Sequence, residues 1–267
     1  MKLLWVFAHP EQRSLSAALR DEGISALIDG GHEYQRSDLY AMGWKPVVDS
    51  ADFPQRAGDR LIVTSASKYA YTSGTLSADI SVEQAKLEWA DTVIVQFPLW
   101  WMGVPAILKG WFDRVFVKGF AYGVKEPPSG RTLRYGDGGL AGKRAMVIVT
   151  VGAPEVTIGP RGIHGDMDNI LFGLQHGTFW YSGMSVVPPL VIPAADHISA
   201  ADYRAAAAAL RDRLQTLPTA PPIPFRSQDG GDYDEHLVLR QDLAPGRDDL
   251  GVHYARSCRC RVAGYPA

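Results

Sequence analysis

Apolar and polar positions along this chain fall into blocks whose period changes. Residues 2–8 (KLLWVFA) form a continuous apolar run of strand length, closed by His9-Pro10. Such a run suits a strand buried on both faces, as in a parallel sheet. Residues 14–27 then show helical spacing, with Leu15, Leu19, Ile24 and Leu27 on one face. After the Gly30-Gly31 break comes a shorter strand, 33–38, which completes a β-α-β unit with a right-handed crossover. The theme repeats in the strand 92–97 (TVIVQF), closed by Pro98, and the helix 105–117, with proline in its first turn. Another buried strand, 145–151 (AMVIVTV), leads through a glycine-bearing loop to a helical stretch at 166–178. The last strand, 185–192, carries Pro188-Pro189 and is therefore placed at a sheet edge; an alanine-rich helix, 200–217, follows it.

Five strands alternating with helices predict an α/β fold, an open doubly wound parallel sheet. From Pro218 the chain is rich in Pro, Gly and Asp and loses its apolar period. The expectation is one domain over 1–217 and an irregular tail over 218–267, packed on the domain or on a second subunit.

Composition narrows the function classes. A net charge of −2 over 267 residues gives no basic field for nucleic acid or an anionic membrane. No apolar run approaches the ~18 residues of a membrane span, and no charged-then-apolar leader precedes the first strand. The expected location is cytoplasmic. Cys258 and Cys260, two apart, form neither a disulfide framework nor a zinc site, and no metal is expected.

In an open α/β sheet the ligand sits beyond the carboxyl ends of the strands, so three loops are candidates for chemistry. The first, His9 to Ser16, has hydroxyls and a following helix N-terminus that suit a phosphate or pyrophosphate. Ser14 serves equally as a helix cap, and the residues alone leave both roles open. The segment is not GxGxxG and not GxxxxGK[ST], which argues against a dinucleotide-binding Rossmann start and a nucleoside triphosphatase. The second loop holds Pro98, Leu99, Trp100, Trp101 and Met102, apolar and planar groups able to line a slot for a flat ring or to pack as core. The third runs from Thr150, Val151, Gly152 and Ala153 to His164, which lies in a glycine-flanked segment. Gly152 permits close backbone approach to a ring, and a loop histidine can donate to a developing anion.

These stretches resemble the NAD(P)H:quinone oxidoreductase (DT-diaphorase) family of flavodoxin-like proteins. The resembling segments are AHPEQRSLS (8–16), SDLYAM (37–42), LSADI…EQAKLEWAD (76–91), QFPLWWMGVPAILKGWFDRVF…GFAYG (96–123) and RGIHGDMDNIL (161–171). The resemblance covers residues 1 to about 217. It implies a flavodoxin-like five-stranded sheet, FAD rather than FMN, NAD(P)H as co-substrate, a homodimer with sites at the subunit interface, and ping-pong two-electron reduction of quinones. It further implies that His9, Ser14, Leu15 and Ser16 hold the pyrophosphate and ribityl chain. Pro98, Leu99, Trp100, Trp101 and Met102 would meet the isoalloxazine edge, and Thr150, Val151, Gly152 and Ala153 its pyrimidine side. Arg204, one residue out of register, would approach the adenosine. Trp101, Tyr122 and Tyr181 would line the substrate pocket, the tyrosines coming from across the dimer. His164 would support hydride transfer.

Two departures from the family pattern stand out. Ile158 replaces a tyrosine six residues before His164, so the tyrosine–histidine relay cannot operate as usually drawn. Val124 replaces a second pocket tyrosine. Both changes make the pocket more apolar. Other readings are an ancillary flavoprotein subunit of a potassium-efflux antiporter and a flavodoxin-type electron carrier. Azo or nitroaromatic acceptors are alternatives within the enzyme class.

Overall fold

The computed structural model describes residues 1–55 and 60–255; Cys258 and Cys260 lie outside the described residues. Five regular strand positions carry a wholly parallel sheet. Its members are β1 (Lys2–Phe7), β2 (Glu33–Asp38), β3 (Thr92–Pro98), β4 (Arg144–Thr150), β5 (Ser185–Val186) and β6 (Leu190–Ile192). They run in the order β2-β1-β3-β4-β5, with β6 also pairing with β4. The two short strands occupy one position. Val186 and Leu190 bracket Pro188-Pro189, which have no N–H to give the ladder, so the expected edge strand is split in two.

Alternate residues of the central strands enter two separate cores. Leu4, Val6, Val93, Val95, Phe97, Val147 and Val149 face one; Leu3, Trp5, Phe7, Ile94, Met146 and Ile148 face the other. The helices α1 (Leu15–Asp29) and α6 (Ala200–Thr216) cover the second face, with Leu19, Leu27, Leu210 and Leu214 buried there. Onto the first face pack α3 (Ala78–Trp89), α4 (Ala106–Val115) and α5 (Met167–Leu174), while α2 (Val63–Ser73) sits on a small satellite core with Phe53. Residues 63–89 thus hold two helices that the apolar pattern does not announce. Two of α3's inward residues are Glu83 and Gln84, both buried. Glu83 takes the Trp111 indole N–H at 2.8 Å and Lys86 at 2.6 Å, and Gln84 donates to the Val115 carbonyl.

The helix expected at 166–178 divides into α5 and a π-helical turn, Gln175–Trp180. The described part of the tail is irregular and is knit to this turn. Ile223 N–H donates to the Val186 carbonyl, Arg226 N–H to His253, and Trp180 Nε1 to the Arg226 carbonyl. Phe225 and Ile223 are buried in the first core. The His176 ring stacks on Phe172 at 4.6 Å and lies within 5.4 Å of Tyr135, Phe225 and His253. Burial among these rings, with His253 beside it, pushes the His176 pKa down to about 4.

Candidate functional site

All three expected loops meet at the carboxyl edge of the sheet. A polar cleft of ≈ 360 Å³ is lined by His9, Ser14, Leu15, Ser16, Pro98, Leu99, Trp100, Thr150 and Gly152, together with Ala195 and Asp196. An adjoining apolar cleft of ≈ 320 Å³ is lined by Leu99, Trp101, Met102, Val151, Gly152, Ala153, Ile158, His164, Met167 and Ile170. Leu99 and Gly152 belong to both, so the clefts share a seam. A Cβ on Gly152 would lie 2.3 Å from Oδ2 of the exposed Asp196 side chain, so a larger residue here requires that carboxylate to swing away.

The polar cleft is built from the start of α1. Ser14 caps this helix by accepting from Ala17 N–H at 3.2 Å, and Ala18 N–H is taken by the Ser14 carbonyl. The N–H groups of Leu15 and Ser16 have no partner among the described residues. No acidic side chain occupies the first turn of the helix; the carboxylate of Asp196 lines the same cleft from the opposite loop. Ser16 Oγ and Thr150 Oγ1 bond at 2.9 Å and are buried. His9 Nδ1 lies 3.1 Å from the Glu11 N–H and 3.2 Å from the Glu11 carbonyl, so the contact pins the ring in place and fits either tautomer. Burial lowers the His9 pKa, which favours the neutral ring.

The apolar cleft depends on a strained turn. Trp100 and Gly103 exchange backbone bonds of 3.1 and 3.0 Å, closing a two-residue turn with Trp101 at φ 51° and Met102 at φ 56°. Both central residues are left-handed without being glycine, at a cost of about 1–2 kcal/mol each. Ala194, at φ 52°, stands in the loop after β6 at the same edge of the sheet. Strain of this kind concentrates where a loop must hold a set pose. The turn leaves Trp101 fully exposed and Met102 half exposed; Ile163 (90% exposed) and Val156 (88%), in the segment between β4 and α5, are exposed as well. On the helix following His164, burial and the neighbouring Asp166 push the Asp168 carboxyl up to about 6.

Tyr122 and Tyr181 lie elsewhere, in a third cleft of ≈ 600 Å³ with Phe112, Phe116 and Ile170. Within one chain, then, Trp101 does not share a cleft with the two tyrosines. Arg204 lines none of the three clefts and is exposed on α6. Asp196 was not among the expected residues. It sits in the loop after β6, a fourth strand-end loop that the same rule about carboxyl ends would have indicated. That loop is tied to the third: Ala195 N–H donates to the Val151 carbonyl and Ala194 N–H to Ala153, each at 2.9 Å.

A parallel sheet of this order, with strand-end clefts and no glycine-rich dinucleotide motif, defines a flavodoxin-like protein. Residues 1–214 match the profile of the flavodoxin-like fold family. The chain belongs to the NAD(P)H:quinone oxidoreductase family of these proteins. It is 46% identical over 260 residues, 95% of either chain, to a ribosyldihydronicotinamide dehydrogenase-like protein of Penicillium crustosum. It is 36% identical over 225 residues to the human ribosyldihydronicotinamide dehydrogenase (quinone), covering 84% of this chain and 94% of that one. A Klebsiella pneumoniae protein proposed to be a quinone reductase superposes with a TM-score of 0.92. It is 51% identical and covers 96% of this chain and all of its own.

Proposed function

We propose that this chain is an FAD-dependent NAD(P)H:quinone oxidoreductase that works as a homodimer in the cytoplasm. One observation carries the proposal: a donor-rich polar cleft and a flat apolar cleft joined at the bare backbone of Gly152. That donor set fits a flavin, which has an anionic chain at one end and a planar ring at the other. When bound, the flavin supplies the acceptance of hydride from a dihydronicotinamide and its donation to a quinone. The antiporter-subunit and electron-carrier readings find no support among the relatives, which bear dehydrogenase names.

The chain's own residues have separable tasks. Open N–H groups of Leu15 and Ser16, the Ser14 and Thr150 hydroxyls and the His9 ring bind the phosphate-bearing chain. Pro98, Leu99 and Trp100 wall the passage between the clefts. Trp101, Met102, Val151, Ala153, Ile158 and Met167 shape the ring slot and exclude water. His164, in that slot, donates a hydrogen bond to negative charge building at the pyrimidine edge; with Ile158 beside it in place of a tyrosine, it does so without a phenolic relay.

The exposed Trp101, Met102, Ile163 and Val156 are the face that a second copy covers, bringing its own Tyr122 and Tyr181 to the ring slot. Arg204, exposed on α6, has its place at the adenosine end only if that end extends beyond the cleft.

Turnover of menadione or benzoquinone with NADH and with NADPH tests the activity. His164→Leu, which removes the donor, is expected to slow flavin reduction about 100-fold, the loss seen for one preorganised donor. An unchanged rate of flavin reduction would remove His164 from the chemistry.

A further inference from the structure

β3 reads Thr-Val-Ile-Val-Gln-Phe-Pro and is buried throughout. Gln96 is its one amide, it is 0% exposed, and its alternation places it on the face of Ile94, towards α1. A buried amide in the middle of a sheet is costly unless both ends are bonded. Here both are. Gln96 Oε1 accepts from Trp5 Nε1 at 2.9 Å, and Nε2 donates to the Ser16 carbonyl at 2.7 Å. Its backbone carbonyl accepts from Ala8 N–H at 3.0 Å.

Trp5 and Ala8 lie in and just after β1, Ser16 opens α1, and Gln96 lies at the end of β3. One side chain therefore joins the roots of two site loops to the first turn of the helix between them. Ser16 is in turn bonded through Oγ to Thr150 at the end of β4. With its carbonyl held by Gln96 and its hydroxyl by Thr150, Ser16 has its N–H as the one group left unengaged, and Ser16 lines the polar cleft. Gln96 and Thr150 tie this turn to the ends of two strands, whereas Ser14 caps the helix only from within.

We propose that Gln96 is a positioning residue for the phosphate-bearing end of the flavin: through the Ser16 carbonyl it sets the pose of the α1 N-terminus. This inference rests on the flavin site proposed above. Gln96 touches no part of the ring cleft, so its effect belongs to the phosphate end alone.

FMN and riboflavin are the probes, since they differ only by the terminal phosphate. Their dissociation constants, measured by fluorescence quenching well below the melting temperature, give the ratio that reports on the phosphate. Gln96→Met keeps the side-chain length and removes both polar ends. It is expected to lower the riboflavin-to-FMN ratio about tenfold, roughly the worth of one hydrogen bond to a charged group, with the riboflavin constant itself unchanged. A merely structural Gln96 would lower the melting temperature and leave the ratio where it was; that result overturns the proposal. Should Gln96→Met fail to fold, Trp5→Phe carries the test. It frees Oε1 to rotate, so a ratio reduced about threefold supports the proposal and an unchanged ratio overturns it. A wild-type protein that takes up neither probe, and no FAD, would instead overturn the flavin site, and the proposal with it; one that takes up FAD alone would overturn the proposal by showing that a lone terminal phosphate is not what this helix end holds.

Discussion

At the polar end of the cleft, Ala8, Ser16, Gln96 and Thr150 are joined by buried bonds of 2.7–3.0 Å, all within one chain. At the apolar end, Trp101, Ile163 and Val156 project into solvent from a turn held in left-handed backbone. The first end is preorganised: its donors are already aimed and lose little freedom when an anion arrives. The second is a surface rather than an enclosure, and an exposed patch of this kind marks an interaction site. The anchoring and the chemistry of the ligand thus have different structural requirements. On the function proposed above, the first needs only this chain, and the second a covering partner with the two tyrosines of the third cleft.

Four substitutions probe this division. The largest effect is expected from Gly152→Val, at the seam. Its side chain fills space that both clefts share, so flavin affinity should fall about 100-fold, ~2.7 kcal/mol, by titration. Ile163→Asp should act on one end only. A charge placed in the covered face should weaken self-association by about 100-fold in sedimentation and cut quinone turnover, while FMN affinity stays at the wild-type value. A drop in FMN affinity of similar size would mean that the two ends are not separable.

His176→Phe tests the anchoring of the tail to the region that carries Tyr181. In the folded chain the His176 pKa lies near 4, below its ordinary 6.5. Its contribution is therefore fully present above about pH 6.5 and is lost as pH falls towards 4. Phenylalanine cannot be protonated and matches the neighbouring Phe172 and Phe225 rings. The variant should be about 2 kcal/mol more stable than wild type at pH 5, relative to their difference at pH 7.5, in urea denaturation. Parallel pH profiles would show that another group governs the acid limb, His253 being the nearest. The smallest effect is expected from Met102→Gly. Relief of one left-handed residue should raise stability by about 1 kcal/mol, and loosening of the turn should weaken ring binding without changing the FMN-to-riboflavin ratio.

The sheet was legible because β1, β3 and β4 are buried on both faces and read as unbroken apolar runs. Residues 63–89 were not, since α3 turns Glu83 and Gln84 inward and satisfies them with Trp111, Lys86 and the Val115 carbonyl. Polar residues at inward positions erase the apolar stripe by which a helix is recognised. At the site, the three strand-end loops were visible from composition and position, and the structure assembles them. Gln96 was hidden for the opposite reason to Glu83: a single amide within an apolar run looks like an interruption until its two partners are seen.

The identity of the bound flavin tests the division most directly. The purified protein should show a flavin spectrum, and mass analysis of the released cofactor should give FAD at one per chain. A protein that carries no flavin, and takes up none when FAD is added, would contradict the anchoring role of the loops at Ser16, Leu99 and Gly152.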